Sequence, residues 1–287
     1  MLKERLRSVG VVIGRALTAV GLPLPEPVFR HLHFVGPFDL ALPNGSTMRL
    51  NSWGSRVENE LAWRGWDGHE GAERARWLEV VSGGGDIFDV GANTGTYALM
   101  AKAVSPESQV VAFEPVPRIA DMAETNIGVS GLRIEIVRAA VSEEAGQAPI
   151  YDPGGENAYS ASLESDFLNG EKRVYNVPVV TIDGYCNEHG LDPSAIKIDV
   201  EGSEGRVLLG ARELISRRRA TFLCEWLGSS DSHRDAIRLL DEYGYSAIDI
   251  QTLADFDLAS HRGYEDRNVL IAPRETISRY KKIWVPL

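Results

Sequence analysis

The chain is 287 residues long, 44 % hydrophobic and 25 % charged, the make-up of a globular protein with room for one large α/β domain or two small ones. This excludes a fully disordered chain, a collagen-like one and a disulfide scaffold. Asp plus Glu number 41 against 30 Lys plus Arg, a formal net charge of −11, so a phosphate backbone is repelled and no nucleic-acid partner is expected. The two cysteines, Cys186 and Cys224, lie far apart without a CxxC spacing. That argues against structural zinc and a secreted disulfide framework, and for a reducing, cytoplasmic setting.

In chain order, the first 35 residues carry Lys3, Arg5, Arg7, Arg15 and Arg30 against Glu4 and Glu26, a basic start on an acidic chain. The apolar run from Val9 to Val20 is interrupted by Arg15 and falls short of the roughly 20 residues of a membrane span. It reads as a basic amphipathic helix, either packed on the domain or making peripheral contact with an anionic membrane. Pro23, Pro25 and Pro27 end it. Alternating residues on either side of Pro43-Asn44-Gly45-Ser46 predict a β-hairpin, Phe38–Leu42 with Thr47–Leu50. Residues 56–81 read as helix broken by Gly65, Gly68 and Gly71.

From Gly83-Gly84-Gly85 onward, strands and helices alternate. Strands are expected at Ile87–Val90, Val110–Phe113, Ile134–Val141, Ala195–Val200 and Thr221–Trp226, with two late ones at Ser246–Ile250 and Asn268–Ala272. Helices are expected from Thr96, from Arg118, after Val200 through about Arg217, and over Ser232–Tyr243. The pattern predicts an α/β, Rossmann-like, mostly parallel sheet with helices on both faces. One of the late strands should be antiparallel, since no helix separates them. The expected organisation is an N-terminal helix and hairpin extension over 1–55 and a main domain over 56–287. A β-rich insertion, about 142–185, precedes the fourth parallel strand.

The strongest chemical signal is the run from Phe88 to Tyr97, a strand entering the turn Asp89-Val90-Gly91-Ala92-Asn93-Thr94-Gly95 and then a helix. Gly91 and Gly95 let backbone approach a ligand, Asn93 tolerates a left-handed conformation, and the helix start offers free N–H groups. The spacing is D-x-G-x-N-x-G, not the dinucleotide G-x-G-x-x-G. Glu114-Pro115 ends the second strand, where a carboxylate accepts from the two vicinal hydroxyls of a ribose. Together the two features favour an adenosine-containing cofactor. The fourth strand ends in Ile196-Lys197-Ile198-Asp199-Val200-Glu201-Gly202-Ser203-Glu204. This puts Asp199 at the carboxyl edge of the sheet with Glu201 just beyond, while Glu201 and Glu204 read equally as helix-start acids.

The order DVGANTGTY, AFEP, AAVS, VTIDGY and IKIDVEGSE with LLGAREL, over roughly residues 58–272, resembles the FkbM family of S-adenosylmethionine-dependent methyltransferases. The resemblance implies the class I methyltransferase fold and O-methylation of hydroxyls of sugars, glycolipids and polyketides. It implies that Asp89, Gly91, Asn93 and Gly95 line the methionine part of the cofactor and that Glu114, with Pro115, holds the ribose. Ala140 and Val141 would flank adenine, and Asp199 would face the methionine amine or the acceptor.

Methyl transfer to an alcohol calls for positioning and for a base to take the hydroxyl proton. His69, Glu70 and Glu201 fit that role, with Asp199 beside them. Asp199, Glu201 and Glu225 also offer oxygen ligands suited to Mg²⁺, which nothing in the spacing requires. Trp53, Trp63, Trp66 and Trp77 precede the cofactor turn. Trp63 or Trp66 is expected to touch the acceptor, with Tyr159 of the insertion and Glu225. The acceptor expected is a small molecule, glycan or glycolipid, and the oligomeric state is open. A nicotinamide-dependent oxidoreductase or a non-catalytic binding module are the competing readings. The turn tells against the first, and the near-complete motif set against the second.

Overall fold

A computed structural model describes residues 34–54, 56–67, 70–152, 173–228, 230–260 and 267–285, with residues 13, 16, 17 and 22. Ile13, Ala16 and Leu17 are helical, and the rest of the expected N-terminal helix lies outside the described residues. The hairpin is β1 (Val35–Ala41) and β2 (Thr47–Trp53), antiparallel and in register from Val35↔Trp53 to Ala41↔Thr47. Gly45 takes φ 85° at its tip, a conformation glycine adopts without strain. The broken helical region is α1 (Arg56–Arg64), a 3₁₀ turn (Gly65–Asp67) and α2 (Gly71–Val81).

The main sheet is built from β3 (Asp86–Val90), β4 (Val110–Phe113), β5 (Glu135–Val137), β9 (Pro193–Ile198), β10 (Thr221–Glu225), β11 (Tyr245–Asp249), β12 (Asp255–Phe256) and β13 (Asn268–Pro273). Its order is β12-β11-β13-β10-β9-β3-β4-β5. The strands from β5 to β10 pair in parallel, and β13 runs antiparallel between β10 and β11, as the missing helix between the late strands predicts. The chain order reverses between β3 and β9, leaving a crevice at the carboxyl ends of the strands where α/β sheets bind ligands.

Helices cover both faces. On one lie α2, α3 (Thr96–Val104) and α9 (Arg274–Ile283), packed with the hairpin around Trp77, Leu99, Ile87, Leu223 and Tyr280. On the other, α5 (Ile182–His189), α6 (Glu204–Leu209), α7 (Arg212–Ser216) and α8 (Asp231–Glu242) pack around Phe88, Phe113, Ile196 and Phe222. The strict alternation Ile87/Phe88 and Phe222/Leu223 between the two cores is the period of a strand buried on both sides. A final helix, α4 (Pro117–Ser130), carries the fully buried Asn126. Its Oδ1 accepts from Asn51 N at 2.7 Å and its Nδ2 donates to Thr94 O at 2.7 Å, tying the hairpin to the Gly-rich turn.

Two expectations need correction. The strand expected over Ile134–Val141 is two strands. Only β5 joins the main sheet, while β6 (Ala140–Val141) pairs with β8 (Arg173–Val180), which also pairs with β7 (Gly146–Asp152). Between them Arg138 turns outward to Asp121 and Glu124 of α4 at 2.6 and 2.8 Å. The helix expected through Arg217 breaks into α6 and α7 at Gly210. A Cβ there would stand 2.2 Å from the carbonyl oxygen of Ser142, the residue after β6, so only glycine fits at the break. Asp183 of α5 then accepts from Glu213 N and Leu214 N at 2.7 and 3.0 Å, serving the free N–H groups at the start of α7. The helix α9 and the short edge strand β12 are not anticipated by the periodicity.

Candidate active site

The crevice is a cleft of about 320 Å³ walled by the ends of β3, β4, β9 and β10. Its floor is the turn after β3, where Gly91, Asn93 and Gly95 hold φ of 80°, 52° and 82°. Gly91 is obligatory, because a Cβ would lie 1.8 Å from Asp199 O at the point where Asp199 N donates to Val90 O at 2.9 Å. The buried Asp89 accepts from Ala98 N at 2.8 Å through Oδ2, anchoring α3 to the strand that precedes it. Gly91, Asn93 and Asp89 line the cleft. Gly95 caps α3, a Cβ on it would stand 3.6 Å from Ala123 of α4, and it shapes the turn rather than lining the cleft.

Glu114 stands at the tip of β4. Its two oxygens accept from Asn93 N at 3.0 Å and Val116 N at 2.9 Å, which fixes the carboxyl in the wall of the cleft. Burial pushes it up to about 8 against the pull of those two bonds, and burial likewise pushes Asp89 up to about 7. Pro115, Ala140 and Val141 complete this end. They come together from the tip of β4 and from β6.

The other end holds Glu70, Asp199, Glu201 and Glu225. Glu70 and Glu201 both take left-handed backbone, φ 53° and 54°, a strained choice for a non-glycine residue and one that clusters at functional sites. Tyr97 OH donates to Glu70 Oε2 at 2.8 Å. Lys197, 1 % exposed, places Nζ 3.0 Å from Asp199 Oδ2 and 2.9 Å from Glu73 Oε1, with the Tyr97 ring 4.6 Å beneath it. Burial acts to lower the Lys197 ammonium, but Asp199 and Glu73 outweigh it and hold the group well above its usual range. Burial pushes Glu73 up to about 7, with Lys197 pulling the other way. Glu225 rises to about 11, through burial first and then the adjacent Asp199. Among the described residues, no three His, Cys, Asp or Glu side chains are placed to hold a metal ion.

Sequence reasoning passed over Lys197, Tyr97, Glu73 and Ser203. A lysine inside an otherwise apolar strand was the available signal for Lys197. Trp63 and Trp66, expected to touch the acceptor, do not line the cleft. Trp63 is buried in the core with Nε1 on Asn59 Oδ1 at 3.1 Å, and Trp66 lies under the Arg74 guanidinium at 5.2 Å. Clustering in sequence did not distinguish a packing indole from a ligand-facing one. His69 and Tyr159 lie outside the described residues.

The model of the methyltransferase FkbM domain matches residues 89–247, more than half of the chain. The 2-O-methyltransferase NoeI of Sinorhizobium fredii is 27 % identical over 146 residues, 46 % of this chain and 60 % of NoeI. The 31-O-demethyl-FK506 methyltransferase FkbM of Streptomyces tacrolimicus is 26 % identical over 198 residues, 56 % of this chain and 73 % of that protein. The chain thus spans about three fifths of the length of NoeI. A crystal structure of methyltransferase FkbM from Methylobacillus flagellatus superposes with a TM-score of 0.38 at 18 % identity, over 70 % of this chain and 51 % of that one. With the matched domain spanning the cofactor turn, Glu114 and the Asp199 loop, the chain belongs to the FkbM family of S-adenosylmethionine-dependent methyltransferases.

Proposed function

We propose that the chain transfers the methyl group of S-adenosylmethionine to a hydroxyl of a sugar, glycolipid or related natural product. The observation that carries the cofactor part is Glu114, a carboxyl fixed by two backbone N–H groups in the wall of the cleft. Both of its oxygens keep a lone pair for the ribose hydroxyls. Gly91 and Asn93 leave the backbone of the turn open to the methionine part, with the Asp89 carboxyl beside them. Bound S-adenosylmethionine supplies an electrophilic methyl on a sulfonium. The acceptor part leans on the relatives, whose names describe transfer to oxygen.

The chain's own work is positioning and proton removal. In this reading Glu70 takes the acceptor's hydroxyl proton. Tyr97 orients its carboxylate through Oε2, and its exposed position lets the proton pass on to water. Lys197 holds the Asp199 carboxyl in place at the end of β9, toward the methionine amine or the acceptor. A lipid-linked acceptor reached through the basic N-terminus belongs to the same reading. Among the described residues no helix is long and apolar enough to cross a membrane.

Calorimetric titration with S-adenosylmethionine and, separately, NADH, each with and without EDTA, tests the cofactor. Binding of S-adenosylmethionine alone, insensitive to EDTA, is expected, and binding of NADH alone would sink the reading. For the base, Glu70→Gln should lower kcat about 10²- to 10⁴-fold at unchanged affinity for S-adenosylmethionine. An unchanged kcat would move the proton to another group.

A further inference from the structure

The acceptor end of the cleft carries more carboxyl groups than methyl transfer uses. Asp199, Glu201 and Glu225 line it together, from the ends of β9 and β10 and the loop before α6. Lys197, the cleft-lining cation among the described residues, is already shared between Asp199 and Glu73. Burial and then the adjacent Asp199 push the Glu225 carboxyl up to about 11, so it holds a proton near neutral pH. One geometric observation beside this cluster points to a missing ligand. Ser203, 1 % exposed, lines the same cleft with its Oγ lacking any hydrogen-bond partner, and a buried hydroxyl left unpaired is costly. Asp199, Glu201 and Glu225 are not arranged to hold a metal ion, so the arrangement suits an organic cation better than a divalent one.

We propose that Glu201, Glu225 and Ser203 form a subsite for a protonated amine on the acceptor, so that the substrate is an amino sugar or amino alcohol. This rests on the O-methyltransferase reading. An ammonium has three donors and no acceptor, matching two carboxylates and an acceptor hydroxyl oxygen. It takes the place of the proton held at Glu225. That carboxyl faces Asp199, Lys197 and Glu201, and it ionises when the new positive charge arrives. One positive charge enters, one proton leaves to solvent, and the charge of the site is unchanged. A phosphate, sulfate or carboxylate on the acceptor meets the same carboxylates and is repelled.

The experiment uses the full chain saturated with S-adenosylhomocysteine and titrates glucosamine, N-acetylglucosamine and glucose 6-phosphate near neutral pH. Glucosamine should bind at least about tenfold more tightly than its N-acetyl form, the difference one charge-assisted hydrogen bond makes, and glucose 6-phosphate should not bind. Heats measured in buffers of different ionisation enthalpy should show proton release on glucosamine binding, absent in Glu225→Gln. Glu225→Gln and Glu201→Gln should both erase the preference for the amine while S-adenosylmethionine still binds. Gln at position 225 is isosteric with the protonated carboxyl already present, so that variant keeps the fold. Equal binding of the three sugars, binding of none, or a loss of S-adenosylmethionine affinity in Glu225→Gln would each overturn the proposal. Failure of S-adenosylmethionine to bind the unaltered chain would instead overturn the reading on which it rests.

Discussion

Burial holds the Glu114 carboxyl near about 8 and the Asp89 carboxyl near about 7 in the free protein. A vicinal diol donating to Glu114 favours its ionised form. Affinity for S-adenosylmethionine should therefore rise with pH toward about 8 and level off above it, which calorimetric titration across that range measures. An affinity falling with pH would take Glu114 out of the ribose site. Stability runs the other way. Both folded values lie above the unfolded ones, 4.5 and 3.8, so the folded chain binds more protons than the unfolded chain between the two. The contribution of these groups is largest below the unfolded values and drains as pH rises through the folded ones. The ligand-free Tm should fall over that window, and saturating cofactor should offset the loss. Lys197 is the counterpart. Lys197→Met leaves the buried Glu73 without its cation and should cost about 3–5 kcal/mol in urea denaturation. The pair Lys197→Met with Glu73→Gln should recover most of that. A double variant no more stable than the single would mean that the pair does not couple.

At the scale of elements, the site depends on two strand tips meeting with no side chain between them. Gly91→Ala forces a Cβ against Asp199 O, 1.8 Å away, and neither backbone can yield without breaking the Asp199 N to Val90 O bond. The φ of 80° alone costs an alanine about 1–3 kcal/mol. The expected result is a lowered urea midpoint together with lost S-adenosylmethionine binding, and full binding in a stable variant would contradict this view of the turn. The same elements explain what could be read without a structure. Continuous apolar runs such as Ile87–Val90 and Val110–Phe113 belong to strands buried on both faces, and local pattern suffices to find them. The turn and Glu114 were equally legible because their residue types are forced by backbone conformation and hydrogen bonding. The break after Val137 was not, since it depends on Arg138 reaching acids a helix away. The need for glycine at the break after α6 depends on Ser142, far off in sequence. For the same reason the placing of the indoles was not legible. Trp63 has its hydrogen-bond partner one helical turn away, in Asn59, and nothing local says which way that face of the helix points.

The whole molecule adds a field to these contacts. A net charge of −11 surrounds a cleft lined by Asp89, Asp199, Glu70, Glu114, Glu201 and Glu225 against Lys197. Low-dielectric walls concentrate such a potential. S-adenosylmethionine carries a sulfonium that its demethylated product lacks, while the rest of the two molecules is the same. The field therefore favours the cofactor over the product, by an amount set by how many of these carboxyls are ionised. Because burial keeps protons on several of them near neutral pH, the discrimination should grow as pH rises. It should also shrink with salt to the extent that it comes from exposed charge such as Glu70, since the screening length drops from about 10 Å at 0.1 M to about 3 Å at 1 M. The measurement is the ratio of the two dissociation constants across pH and ionic strength. A ratio that favours S-adenosylmethionine, widens with pH and narrows with salt makes the acidic cleft the device that releases product and admits the next cofactor. If the ratio is near one and indifferent to salt, the carboxyls face the acceptor alone, and product release must come from movement of the chain around the cleft.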